Sequence, residues 1–323
     1  MTTSEVVPVP SDLAELPKAE LHVHLEGTVR PSTQAEWAQR TVVDIPRKFH
    51  NLDTFIQMYA GFWRTMNTPG DYERLVREYC EDAAQGGIRY AEIQLATAGR
   101  PYPALVEAVE EAQRQSDVVV RFVVDVPRSL PVEVGWAMLE AAKGVPDVIG
   151  IGLGGPEAPF PPEPFAELFA EGRSRGLRSL PHAGEEAGPQ SVRGAIEALG
   201  AERIMHGVRC IEDPGLVSEL VERGIGLDVC PTSNLLLGVA RSMNHHPLKD
   251  LWDAGVLISI NTDDPGYFGC ELTGEYALAG EALGLDREGY GRLALNSVEG
   301  SFAPEAVKAE MRSGIADWVG RGG

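Results

Sequence analysis

Short apolar and β-branched runs alternate along this chain with stretches whose apolar positions recur at helical spacing. Eight runs read as strands, at 20–26, 88–95, 118–126, 148–153, 177–182, 203–207, 225–230 and 256–261. Between them lie helical patterns at 71–85, 102–115, 132–143, 164–175, 190–199, 214–222 and 247–254. Glycines mark the joints: Gly86, Gly87, Gly144, Gly176, Gly200, Gly224 and Gly255 stand where helices should end.

Strands separated by helices imply parallel βαβ units joined by right-handed crossovers. Several strands are continuous apolar runs, as expected when helices cover them from outside. Eight units predict an α/β fold of the (β/α)8 TIM-barrel type. The usual length of about 250 residues leaves room for an insertion after the first strand and extra C-terminal helices. An open doubly wound sheet is the rival, weakened because no Gly-x-Gly-x-x-Gly follows the first strand. Without a linker, low-complexity tract or repeat, residues 1–323 read as one domain.

The segment 31–70 is longer than an ordinary crossover. In it Phe55, Tyr59, Phe62, Trp63 and Met66 share one helix face. Packed against the barrel, that face is plain core. As a lid over the barrel mouth it would form an apolar wall, with Phe55, Ile56 and Tyr59 against a flat ligand.

Composition then excludes whole classes of function. Hydrophobic residues make up 43% and charged residues 24% of the 323, so the chain is not a disordered one. Lys and Arg number 28 against 48 Asp and Glu, a net charge of −20, which argues against binding a nucleic-acid backbone. No apolar run reaches the ~18–20 residues of a membrane span. The opening MTTSEVVPVPSD lacks the basic and apolar regions of a secretion signal, so a cytoplasmic location is expected. Cys80, Cys210, Cys230 and Cys270 are scattered without a Cys-x-x-Cys pair, which suits reduced buried thiols rather than disulfides or a cysteine zinc site. A homo-oligomer is compatible with this composition.

The candidate chemistry lies at the C-terminal ends of the strands, which in a barrel converge on the mouth. His22 and His24 stand two apart at the end of the first strand and so share a face. His182 ends the fifth strand and His206 the sixth, while Asp263 and Asp264 follow the eighth. Four of the seven histidines thus sit at matched positions, which a scatter of core residues does not explain. Neutral imidazoles with one carboxylate suit a divalent ion, Zn²⁺ first, with Fe²⁺, Co²⁺ or Mn²⁺ as alternatives. Bound zinc lowers the pKa of its water from about 15.7 to about 7, which points to hydrolysis. Glu185, just past a strand end, is free to shuttle a proton. Of the adjacent aspartates, one can bind metal while the other faces substrate.

These residues sit in words that resemble the adenosine deaminase family of the amidohydrolase superfamily: Glu20-Leu21-His22-Val23-His24-Leu25-Glu26-Gly27-Thr28, His182-Ala183-Gly184-Glu185, His206-Gly207-Val208, Cys230-Pro231-Thr232-Ser233-Asn234 and Asn261-Thr262-Asp263-Asp264-Pro265. They occur in family order, from about residue 16 to residue 302. The resemblance implies one zinc per chain on His22, His24, His182 and Asp263. It implies that Glu185 protonates purine N1 and that His206 orients or deprotonates the attacking water. It further implies that Asp264 helps place the water and meets purine N7, while the Gly155 backbone amide meets N3. The implied reaction is hydrolysis of adenosine or deoxyadenosine to inosine or deoxyinosine plus ammonia.

Two departures bear on substrate. Adenosine-cleaving members commonly carry Asp, contacting the ribose 5′-hydroxyl, where this chain has Glu26. Adenine deaminases often share that glutamate but show an Asp-Ser-Ser-Glu-like word in place of Gly154-Gly155-Pro156-Glu157. Adenine and 6-amino-6-deoxyfutalosine, which bears an aryl ketone chain in place of a free 5′-hydroxyl, are therefore the alternative substrates. The cytidine-type zinc deaminases are excluded, because no second cysteine follows Cys230-Pro231 at the required spacing. A two-metal hydrolase bridged by a carboxylated lysine is disfavoured, since no lysine ends any of the eight strands. A non-catalytic binding barrel would have no use for the intact acid–base set.

Overall fold

The computed structural model describes residues 8–40, 49, 51–66, 68–96, 102–145 and 147–322. Within the 31–70 insertion, positions 41–48, 50 and 67 lie outside the described residues. The strands are β1 (Lys18–His24), β2 (Ile88–Leu95), β3 (Val119–Pro127), β4 (Val148–Gly154), β5 (Arg178–Ser179), β6 (His182–Ala183), β7 (Arg203–His206), β8 (Gly226–Val229) and β9 (Ile258–Ile260). The helices are α1 (Pro31–Trp37), α2 (Leu52–Trp63), α3 (Pro69–Gln85), α4 (Tyr102–Gln113), α5 (Val132–Ala141), α6 (Ala166–Ser174), α7 (Pro189–Glu197), α8 (Pro214–Arg223), α9 (Pro231–Leu236), α10 (Leu248–Asp253), α11 (Pro265–Phe268), α12 (Leu272–Leu283), α13 (Arg287–Gly300) and α14 (Glu305–Gly320). No helix among the described residues is long and apolar enough to cross a membrane.

All strand pairs are parallel and follow chain order, the arrangement of the predicted TIM barrel. Local signals set the helices. Thr68 and Asp71 form a reciprocal capping box before α3, with Pro69 at its first position. Asp213 accepts from Gly215 and Leu216 to start α8, and Gly224 ends it at φ 65°, a conformation glycine adopts without strain.

The fifth expected strand, 177–182, is two short pieces rather than one. Pro181 has no N–H to donate, so the ladder is interrupted there. Single bonds carry the wall across the break: Leu180 N–H donates to Ile151 O at 2.9 Å, and Met205 N–H to Pro181 O at 3.0 Å. The closing seam is also short. Val23 and Asp263 form one parallel bridge, with Asp263 N–H donating to His22 O and His24 N–H to Asp263 O. Just below it, Asn261 Oδ1 accepts from the amides of Leu21 (2.7 Å) and His22 (3.2 Å), a side chain standing in for ladder carbonyls.

Beneath the seam the barrel interior holds a buried ion cluster. Arg203 reaches Glu92 on β2 and Asp228 on β8, each at 2.6 Å, and donates to Gly300 O and Leu21 O. Asp228 also accepts from Ser259, whose hydroxyl accepts from Asn261, so the cluster runs up to the strand that carries His22. Every member is tied to a partner, the condition under which buried charge is tolerated. Arg203→Met would strand two buried carboxylates, and urea titration should show a stability loss of about 3–5 kcal/mol.

Candidate functional site

Strand ends deliver the side chains that the sequence singled out. His22 and His24 project from the end of β1, His182 opens β6, His206 closes β7, and Asp263 follows β9. His206 and Asp263 have φ values of 62° and 65°. Such left-handed backbone costs a non-glycine residue of order 1–3 kcal/mol, and it persists where surrounding structure over-determines it, often at functional sites. Gly27 permits a close approach: a Cβ there would fall inside the Asp264 carboxylate.

His22 Nε2 and His24 Nε2 lie 3.1 and 3.2 Å from His182 Nε2. Asp263 Oδ1 is 3.5 Å from His22 Nε2 and 3.4 Å from His24 Nε2. Burial, followed by the neighbouring imidazoles, holds His22 and His182 well below the usual histidine range, so both rings are neutral. The far nitrogens face acceptors. His22 Nδ1 is 3.4 Å from Asp228 O, and His24 Nδ1 is 3.6 Å from Asp125 Oδ2. Hydrogens on those nitrogens would leave the Nε2 lone pairs of His22 and His24 directed toward His182 Nε2, where a cation can take them. Four ligands at about 2.0–2.1 Å from a tetrahedral ion stand roughly 3.3 Å apart, the spacing found here. The donor set therefore fits a divalent metal ion. Two groups have all their ligand atoms mutually close, His22, His182, His206 and Asp263, and His24, Asp263 and Asp264; the expected quartet is split between them.

The acids differ in environment. Glu185 is raised well above the carboxylate range by burial and then by Asp263, Glu157 and Glu186, against the opposing pull of Arg128. Asp264 is raised by burial and by Asp263 beside it. Burial thus favours the protonated form of each, and His206 Nε2 lies 3.6 Å from Glu185 Oε2. A cavity of about 280 Å³ opens over these groups. Its walls include His24, Gly155, His182, Glu185, His206, Asp263 and Asp264, roofed by Phe55, Ile56 and Tyr59 of α2.

Neither His22 nor Glu26 lines the cavity. His22 lies behind the cavity wall, fully buried. Burial raises Glu26 to about 7, and the Tyr59 hydroxyl donates to its Oε2 at 3.1 Å.

Supporting residues went unrecognised in the sequence. Glu157 accepts from the amides of Gly184 (2.7 Å), Glu185 (2.8 Å) and Glu186 (2.8 Å), and from the Ser191 hydroxyl. It thereby clamps the loop carrying Glu185 to the loop carrying Gly155. Ser233 Oγ donates to Asp263 Oδ2 at 2.7 Å, and Asp125 stands behind His24. The buried Arg128 donates to His182 O at 2.6 Å. Ser233 and Glu157 both sat in words already singled out; Asp125 lies within the run of the third strand and Arg128 just past it.

A family model described as adenosine deaminase matches residues 17–318. An adenine deaminase from Cupriavidus necator is 38% identical, with 91% of this chain and 90% of the relative covered. An aminodeoxyfutalosine deaminase from Streptomyces avermitilis is 37% identical, covering 94% and 92%. The crystal structure of an amidohydrolase from Burkholderia ambifaria with bound zinc superposes with a TM-score of 0.86, at 26% identity over 98% of this chain and 95% of that one.

Two outcomes test this geometry. Chelator-stripped protein titrated with a divalent ion should take up one per chain, and Asp263→Ala should weaken that uptake by well over tenfold, seen by calorimetry. Glu157→Gln should free the clamped loop, costing about 1–3 kcal/mol locally. Hydrogen exchange at Gly184, Glu185 and Glu186 should then quicken at least tenfold.

Proposed function

The chain belongs to the adenosine deaminase family, and from that premise we propose that it removes the 6-amino group of an unphosphorylated purine by zinc-dependent hydrolysis. The observation that carries the reading is a buried Glu185, pushed toward its protonated form, at the edge of a cavity lined by His24, His182, His206 and Asp263. His22, His24, His182 and Asp263 would hold the zinc, whose chemistry is to acidify a water at neutral pH. Glu185 donates its proton to ring N1, which makes C6 electrophilic. As the water oxygen bonds to C6, one of its protons returns to the Glu185 carboxylate; the other passes from the C6 hydroxyl to N6, the C6–N6 bond breaks, and ammonia leaves with the 6-oxopurine. His206 contacts the attacking water. Asp264 meets N7 and the Gly155 amide meets N3, so the ring is gripped on both edges before reaction. Across the cavity α2 acts as a lid, excluding water from the reacting ring.

Electrostatics favours a substrate without phosphate. Asp125, Glu185, Asp263 and Asp264 line the cavity, and no Lys or Arg stands among its described lining residues. A phosphate would lose its hydration there with no cation to replace it. Glu26 does not line the cavity: the Tyr59 hydroxyl donates to its Oε2 and its Oε1 is buried, so a ribose 5′-hydroxyl bound there does not meet that carboxylate. This supports adenine or aminodeoxyfutalosine over adenosine, in line with the names of the relatives. The apolar wall of Leu52, Phe55, Ile56, Trp63 and Leu130 favours the aryl-bearing nucleoside as the second reading.

A panel of adenine, aminodeoxyfutalosine, adenosine, deoxyadenosine and AMP, followed by the ultraviolet change on deamination, ranks these. Adenine or aminodeoxyfutalosine should lead in kcat/KM and AMP should be inert. AMP in first place would sink the electrostatic argument. Glu185→Gln should lower kcat by about 10²–10⁴ while the metal content stays unchanged.

A further inference from the structure

A line of hydrogen bonds behind the cavity determines which face of His206 carries its hydrogen. The backbone N–H of Leu248 can only donate, and it reaches His246 Nδ1 at 3.0 Å. That nitrogen must be bare. Burial keeps the His246 ring neutral, with its pKa lowered to about 4, so its hydrogen is on Nε2. His246 Nε2 lies 3.0 Å from Asn234 Oδ1, which accepts that hydrogen. Turning the amide over would set one N–H against another, so Asn234 Nδ2 faces the other way and donates to His206 Nδ1 at 3.2 Å. All three side chains are buried, and no unpaired polar atom is left along the line. In neutral His206 the remaining hydrogen is then on Nε2. That nitrogen faces two acceptors, Glu185 Oε2 at 3.6 Å and Asp263 Oδ2 at 3.7 Å.

We propose that Asn234 and His246 are positioning residues that lock His206 as its Nε2–H tautomer, so that His206 donates a hydrogen bond to the attacking water and cannot deprotonate it. The proposal rests on the reading of this cavity as a hydrolytic deaminase centre. It assigns His206 an electrostatic role: a fixed donor aimed at an oxygen that gains negative charge as it bonds to C6. It also separates the groupings around Asp263. A ring with its inward nitrogen protonated offers no lone pair to a cation, which leaves His24, not His206, beside His22 and His182.

Nitrogen NMR of the ¹⁵N-histidine-labelled, zinc-loaded protein reads the tautomer without turnover. His206 should show a pyrrole-type Nε2 and a pyridine-type Nδ1; the reverse pattern overturns the proposal. His246→Leu removes the donor that orients Asn234. It should mix the His206 tautomers and lower kcat by roughly ten- to a hundredfold, less than the full loss of one preorganised donor, with KM and zinc content held. His246→Gln restores an N–H toward Asn234 Oδ1 and should recover the pattern and most of the rate. A folded His246→Leu protein with unchanged His206 signals and unchanged kcat overturns the proposal as well. Should no purine in the panel be deaminated, the functional reading fails, while the NMR pattern still decides the tautomer.

Discussion

Everything at the mouth depends on the seam between the first and last strands. Asp263 is bonded through its backbone to His22 on one side and His24 on the other, while its carboxylate faces both rings. One residue therefore closes the cylinder and completes the donor set. Its left-handed backbone is the local cost of doing both. The neighbours hold it there: Asn261 below takes two β1 amides, Thr262 donates to the buried Glu20, and Ser233 fixes the far carboxylate oxygen. Sliding the last strand by one residue would reverse every one of these faces, so register and chemistry are specified together.

Buried charge decides the rest. The chain keeps two kinds of buried carboxyl near the mouth. Glu157 is ringed by amides and a hydroxyl that donate to it and so ties a loop in place. Glu185 and Asp264 are pushed toward the protonated form by burial and by Asp263. A buried arginine behind His182 tempers the field without entering the cavity.

Most of the fold was legible because a covered parallel sheet writes itself as apolar runs separated by helix signals. What the runs could not show was how the cylinder holds together at its weak points. The break at Pro181 and the Asn261 side chain that patches the seam depend on partners far off in sequence. The site was legible where residues sit at strand ends, as with His22, His24, His182, His206 and Asp263. It was not legible where loops hold one another. Glu157 acts on amides 27 to 29 positions away. His246 reads as an ordinary loop histidine until Asn234 and His206 are beside it. Glu26 shows a subtler failure: the residue type matched its expected role, but the carboxylate is buried off the cavity, with the Tyr59 hydroxyl on one of its oxygens.

That last contact bears on how specificity can vary on one catalytic floor. The histidines, Asp263 and Glu185 come from strand ends and are pinned by the seam and by the Glu157 clamp. The groups that meet whatever is attached to the purine come from α2 and from the loops around Gly155 and Leu130. Loops tolerate substitution far better than a strand register does. Tyr59 of α2 lines the cavity where Glu26 does not, so the helix presents a hydroxyl to a bound ligand in place of that carboxylate. A change confined to that helix therefore alters what a ligand meets without touching the residues held at the strand ends.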